Sequence, residues 1–363
     1  MDKRSKRNDT ISILKGIGII LVVVGHSGCP AFFNHWIFSF HMPLFFIASG
    51  YLFKPDYFMR PGDFFLRRVK SLYWPFVKWS IVFLLLHNVF YDWGVLNDTY
   101  GTPQGYCATR FSAMDILGKS VDVVTKMTSY DYFICGAFWF FRVLFVGGIL
   151  FCIGNWVLKE KLKISASVWI ITILFCLLGC LKIIWGKDIP NWPQGGYREM
   201  MAVFFMGMGY LSKNYLVRLN KWKIAIGCFL LLCVSAIYFP THMGYRNQTV
   251  QKWAVLCITG CTGFIFTYWI SCFLDNNAKS LKRFLVFLGD NSIYVIIFHI
   301  LFFKPASYLK TVMWDLDWKM IGCHPVIYGH NEWFWLVYTA VSLLLCVGII
   351  KARNVLMTHL MRV

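Results

Sequence analysis

The chain is poor in charge, and poorest in acid. Only 15% of its 363 residues are charged, and Asp and Glu together number 17. Soluble domains carry about 25% charged residues, so the composition excludes a soluble protein. The thirteen cysteines contain no C-x-x-C pair and form no disulfide framework. Most lie in apolar runs, as Cys176, Cys180, Cys257 and Cys261 do, where a thiol behaves as a small hydrophobe. Cys29, Cys107 and Cys323 fall in segments expected to face outward, which leaves room for one disulfide. No H-E-x-x-H or similar ligand spacing occurs, so no metal is expected. No G-x-S-x-G occurs, so a serine nucleophile has no motif to sit in. Internal repeats, low-complexity tracts and domain-sized linkers are also missing, and residues 1–363 read as a single domain.

What the chain has instead is apolar surface. Hydrophobic residues make up 58% and aromatics 19%, with a mean hydropathy of +0.57. About 20 apolar residues cross a bilayer, and ten such runs are found: 11–28, 36–53, 71–91, 136–157, 164–184, 199–214, 222–239, 252–274, 285–303 and 333–351. Helices satisfy their own backbone in lipid, so the expected fold is an all-α, polytopic bundle of about ten spans. The basic start and first apolar run resemble a signal peptide. With nine more runs behind it, that run reads as an anchor that stays in place.

The net charge of +19 has two readings. In a soluble chain it would suggest nucleic acid; in a membrane protein it marks the cytoplasmic loops. With the N-terminus inside, 22 of the 36 Lys and Arg fall in inner segments and 11 in outer ones. The inner segments are also shorter. Both termini are therefore expected in the cytoplasm, from the tail 1–10 to the tail 352–363, and no nucleic-acid partner is expected. The longest outer stretches, 92–135 and 304–332, are rich in Trp, Tyr, Asn, Asp and Gly. That mixture suits sugar recognition, and equally an aromatic belt at the lipid interface.

Ionisable groups inside spans are functional candidates by default. Lys15 and His26 stand eleven residues apart, almost three full helical turns, so they share one face about 16 Å apart. Lys15 can also snorkel to the headgroups, and His26 can make a structural interhelical hydrogen bond. His41 enters the second run at a depth like that of His26, so the two imidazoles could cooperate in proton transfer. Arg67, Arg68 and Lys70 cluster beside the third run, suited to phosphates or to topology alone. Arg142 inside FWFFRVLF needs a partner or an aqueous cavity. Arg198 reads as an interface anchor and His299 as a structural histidine. Ser49-Gly50 reads as a close helix crossing.

These residues resemble the acyltransferase-3 family of integral-membrane O-acyltransferases, which modify bacterial surface glycans. The resemblance rests on Lys15-Gly16 with His26 eleven residues after the lysine, and on Phe45-Phe46-Ile47-Ala48-Ser49-Gly50-Tyr51. It extends to Arg67-Arg68-Val69-Lys70, Phe138-Trp139-Phe140, FFMGMGYL at 204–211 and LGDNSIYVIIFH at 288–299. Three positions depart from the pattern. His41 stands where many members have Arg, four residues before the Phe pair, and Lys15 and Lys70 stand where Arg is commoner. The phrase FHMPLFFIASGYLF resembles a subset that includes sugar O-acetylases.

The resemblance implies acyl transfer, with acetyl expected, from cytoplasmic acyl-CoA to a hydroxyl of a cell-surface or lipid-linked glycan. The enzyme would be a multi-pass protein of the plasma (inner) membrane, with acetyl-CoA, a glycan acceptor and membrane lipids as partners. A homo-oligomer stays open. Arg67, Arg68 and Lys70 would hold the CoA phosphates. His26 would act as general base or take the acyl group as a relay. His41 would orient His26 or stabilise charge, and Arg142 or Lys15 would serve the oxyanion. The rival from another class is a glycan or small-solute transporter or flippase. It would show inverted repeats or matched broken helices, and neither is visible in the sequence.

Overall fold

A computed structural model of the chain describes residues 9–190, 192–244 and 248–360. The basic tail Lys3–Arg7 and residues 361–363 of the C-terminal tail lie outside the described residues. Among the described residues every regular element is helical. The principal helices are α1 Asp9–His26, α2 Ala31–Phe38, α3 His41–Tyr51, α4 Pro61–Arg68, α5 Trp74–Asp92, α6 Ala113–Lys126, α7 Trp139–Trp156 and α8 Ser167–Trp185. They continue with α9 Tyr197–Leu211, the single turn α10 Leu216–Leu219, α11 Trp222–Tyr238, α12 Val250–Asn277, α13 Lys279–Asp290, α14 Ser292–Phe298, α15 Lys304–Met313 and α16 Phe334–Leu360.

Seven helical stretches are long and apolar enough to cross a bilayer. An eighth is added if α14 and α15, bent by 63°, are taken as one. The all-α, membrane-spanning expectation therefore holds, and each expected run has a helical counterpart. Two are short: α9 has 15 residues and α11 has 17, below the roughly 20 that span hydrocarbon at 1.5 Å per residue.

Three segments differ from the sequence expectation. The run 285–303 is broken rather than continuous, because α13 stops at Asp290 and α14 at Phe298. The stretch 304–332 begins with α15, where Pro305 occupies the first turn and needs no backbone N–H. The stretch 92–135 contains α6, opened by a capping box in which Ser112 and Asp115 bond each other's backbone N–H. Helix α6 runs antiparallel to α5. Asn88 exchanges hydrogen bonds of 2.9 Å with the Phe111 backbone, and the Tyr73 hydroxyl donates to the Val124 carbonyl at 2.8 Å.

The chain forms two compact units interleaved in sequence. The first takes residues up to 19, 35–72 and 143–290; the second takes 20–34, 73–142 and 291 onward. Glycines set the first unit. Gly50 of α3 lies against the Met206 backbone of α9, and Gly209 of α9 lies against Ile47 of α3, so a Cβ on either would overlap the facing carbonyl oxygen. Gly16 of α1 and Gly289 of α13 make the same reciprocal approach, to Leu285 and Ser12. Small residues let helix backbones meet where lipid supplies no hydrophobic drive for association. The Ser12 hydroxyl then donates to Asp290 at 2.8 Å beside the crossing.

In the second unit the α14–α15 break is the organising feature. Phe298 packs edge-on to Trp79 at 4.7 Å and Phe83 at 5.8 Å. The His299 carbonyl accepts from the Ser342 hydroxyl of α16 at 3.1 Å. Two buried lysines on α15 then fasten the segment that follows. Lys304 donates to the carbonyls of Ile321 and Cys323, both at 2.9 Å, and Lys310 to those of Ile327 and Gly329 at 2.8 and 2.7 Å.

Gly50→Ala and Gly209→Ala should each destabilise the protein by about 1–3 kcal/mol, the usual range for overpacking. Gly227→Ala, which has open space at its Cβ, should be neutral. Melting in detergent would check this, and equal melting temperatures for all three would refute the crossing.

Candidate active site

His26 is the last residue of α1, where the first long apolar run gives way to the Ser27-Gly28 turn. Its ring lies 5.5 Å, centroid to centroid, from that of His299, with the planes inclined at 37°. His299 sits at the break after α14 and is fully buried. Its Nδ1 lies 2.8 Å from the Val295 carbonyl and 3.1 Å from that of Ile296. A carbonyl only accepts, so Nδ1 carries the hydrogen and Nε2 is left as an acceptor. That Nε2 is buried and has no hydrogen-bond partner within the protein. An orphaned acceptor of this kind is uncommon in a folded interior.

His324 is the third imidazole of the group. Its backbone N–H donates to the Gly101 carbonyl at 2.9 Å, and its ring meets Tyr132 at 4.8 Å and Phe133 at 5.7 Å. Gly136 leaves its ring room, with a Cβ there only reaching ordinary contact. Burial holds His324 well below the ordinary histidine range, and the nearby charge of Lys304, then of His26 and His299, pushes the same way. A neutral, cation-flanked imidazole thus stands beside the His26–His299 pair. Among the described residues, no three His, Cys, Asp or Glu side chains are arranged to hold a metal ion.

The other sequence candidates fall as follows. Lys15 lies half-buried on α1, the same helix that ends in His26. Arg142 is buried in α7, with 3% of its surface exposed. His41 is buried at the start of α3, its Nδ1 on the Ile37 carbonyl at 2.8 Å and its ring edge-on to Phe38. Arg68 donates to the Ser49 hydroxyl at 2.9 Å and covers the Phe64 ring at 4.8 Å. Two stretches that carried the resemblance, the Ser49-Gly50 phrase and the arginine cluster, therefore meet within the first unit. Arg67 and Lys70 are exposed. Arg198 donates to the Met243 carbonyl and the Gln194 side chain, tying down the loops around it. All thirteen cysteines are free.

Sequence reasoning passed over His299 as structural and did not single out His324 or Lys304. His299 lies in the quoted phrase LGDNSIYVIIFH, so its signal was present as the sole histidine of an apolar stretch after Asp290. His324 carried no comparable signal, because a histidine in a long polar-aromatic segment is ordinary.

Buried imidazoles in a chain of membrane-spanning helices are groups able to move protons inside a bilayer. The sequence model of the acyltransferase-3 family, described as an acyltransferase domain, matches residues 8–351. The chain belongs to that family and is a multi-pass membrane acyltransferase. No curated protein and no solved structure matches it.

A histidine held neutral by the fold contributes stability above its unfolded value of 6.5 and loses it as the pH falls below that. The melting temperature should therefore drop from pH 6.5 toward 5, and His324→Gln should flatten that drop. An unchanged slope in the variant would show that His324 titrates as an ordinary surface imidazole.

Proposed function

We propose that the protein moves an acetyl group from cytoplasmic acetyl-CoA to a hydroxyl of a cell-surface or lipid-linked glycan, with His26 as general base. The contact of half-buried His26 with fully buried His299 is the observation that carries this reading. A ring nitrogen of His26 takes the proton of the acceptor hydroxyl, and the oxygen attacks the thioester carbon. The tetrahedral intermediate collapses with cleavage of the C–S bond. The CoA thiolate leaves and recovers the proton from the imidazolium, so the base is regenerated. Such proton transfer contributes about 10²–10⁴-fold. His299 positions His26 through the packing of the two rings.

Exposed Arg67 and Lys70 offer their charges to the CoA phosphates. Arg68 adds a third cation from its seat on Ser49. Lys15, His41 and Arg142 are further candidates for holding charge on the reacting oxygen. The excess of Lys and Arg in the short segments supports cytoplasmic termini and a plasma (inner) membrane setting.

The test uses the full chain in nanodiscs with radiolabelled acetyl-CoA and follows CoA release and label on protein or on added glycan. His26→Ala should abolish turnover while folding is kept, and His299→Gln should lower it about 10²-fold. Arg67→Ala should weaken donor affinity about tenfold, the lower end for a charged hydrogen bond. Normal turnover without His26 would remove the reading. Stable label on His26 would replace direct transfer by an acyl relay.

A further inference from the structure

A cavity of about 580 Å³ opens in the second unit, between the turn that follows His26 and the segment 327–338. Its size lies within the 300–1,000 Å³ of ordinary ligand sites. Ser27 forms part of its wall, so it begins one residue from His26 in the chain. Gly28, at φ +80°, keeps that wall tight, because a Cβ there would crowd Val326 at 3.1 Å. Another part of the lining is held by Lys310, 2% exposed, whose ammonium fixes the carbonyls of Ile327 and Gly329.

The lining has a chemical bias. Trp335 and Tyr328 supply aromatic surface, and the indole N–H of Trp335 has no acceptor within the protein. Glu332 brings a carboxylate and Lys310 an ammonium, so the two formal charges cancel. An aromatic wall with a balanced pair of charged hydrogen-bonding groups fits a ligand with an apolar face and many hydroxyls. It disfavours a ligand of strong net charge, which would leave one of the pair opposed.

We propose that this cavity binds a neutral saccharide ring, one unit of the acceptor. The ring lies with its apolar face on Trp335 and its hydroxyls toward Glu332 and Lys310. Its role as acceptor rests on the acyl-transfer reading above; the binding of a saccharide here does not.

The test is saturation-transfer NMR on the full chain in nanodiscs, with the methyl glycosides of glucose, galactose, rhamnose and N-acetylglucosamine, and methyl glucuronide as the charged comparison. At least one neutral glycoside should bind. Trp335→Ala should weaken it about tenfold through loss of the aromatic face, and Trp335→Phe should retain it. Binding should persist in His26→Ala. No binding by any neutral glycoside, a preference for the glucuronide, or full binding in Trp335→Ala would each overturn the proposal. CoA release from acetyl-CoA is measured in the same preparations with the glycoside that binds. Binding without His26-dependent release from that glycoside overturns the acceptor role and leaves a saccharide site, while the acyl-transfer reading stands or falls on the turnover test above. Transfer with an unchanged KM for the glycoside in Trp335→Ala overturns the cavity alone.

Discussion

Within an apolar chain, a backbone carbonyl or an ammonium group left without a partner is expensive, at roughly several kcal/mol in hydrocarbon. That constraint shapes the second unit from His299 to Tyr338. Breaking the helix at His299 leaves its carbonyl to the Ser342 hydroxyl of α16, while the ring of the same residue bonds the carbonyls of Val295 and Ile296. The bend thereby fixes the tautomer of the imidazole that faces His26. A straight helix through 285–303 would need no such partner at Ser342.

The same rule explains the two lysines of α15. Each buries an ammonium and spreads its charge over two backbone carbonyls of the segment 321–329. Irregular backbone in this part of the chain is thus held by side chains rather than by a ladder. Lys310 also lies over the rings of Phe334 and Tyr338, at 5.1 and 5.9 Å, and Tyr338 returns a bond by accepting from the Ile327 N–H at 3.2 Å. His324 is carried between these two fastenings, which is why a residue on a long connection ends up buried. In the first unit the economy is different: glycine crossings bring backbones together, and Arg68 bridges to Ser49.

Much of this was legible in the sequence, and the reasons for the gaps are physical. Long apolar runs fix membrane helices because few other structures satisfy a backbone in lipid, so α1, α8, α12 and α16 followed directly from hydropathy. The Ser49-Gly50 crossing was readable because only small residues allow it. Helix α6 was hidden because Asp115, Lys119, Asp122 and Lys126 dilute its apolar residues, and its partner α5 lies twenty residues back. The break at His299 was hidden because VIIFHILFF is uniformly apolar and helix-compatible; what breaks it is a set of partners on α16 and within α14 that no local pattern announces. His26 stood out as a lone histidine at the end of an apolar run, whereas its neighbour His299 needed the fold to bring it there.

The chemistry of two facing imidazoles differs from that of an imidazole backed by a carboxylate. A carboxylate stabilises the imidazolium and helps a base keep the proton it has taken. The buried carboxylate of the second unit, Asp131, is instead engaged elsewhere, 3.5 Å from His87 and accepting from the Ile134 N–H. His26 meets the ring of His299. Under the proposed mechanism the base must hold its proton only until the C–S bond breaks and then return it to the CoA sulfur. A base that faces a second imidazole gives the proton back more readily than one held by a carboxylate. A base that yields its proton at that moment suits a transfer with a thiolate leaving group.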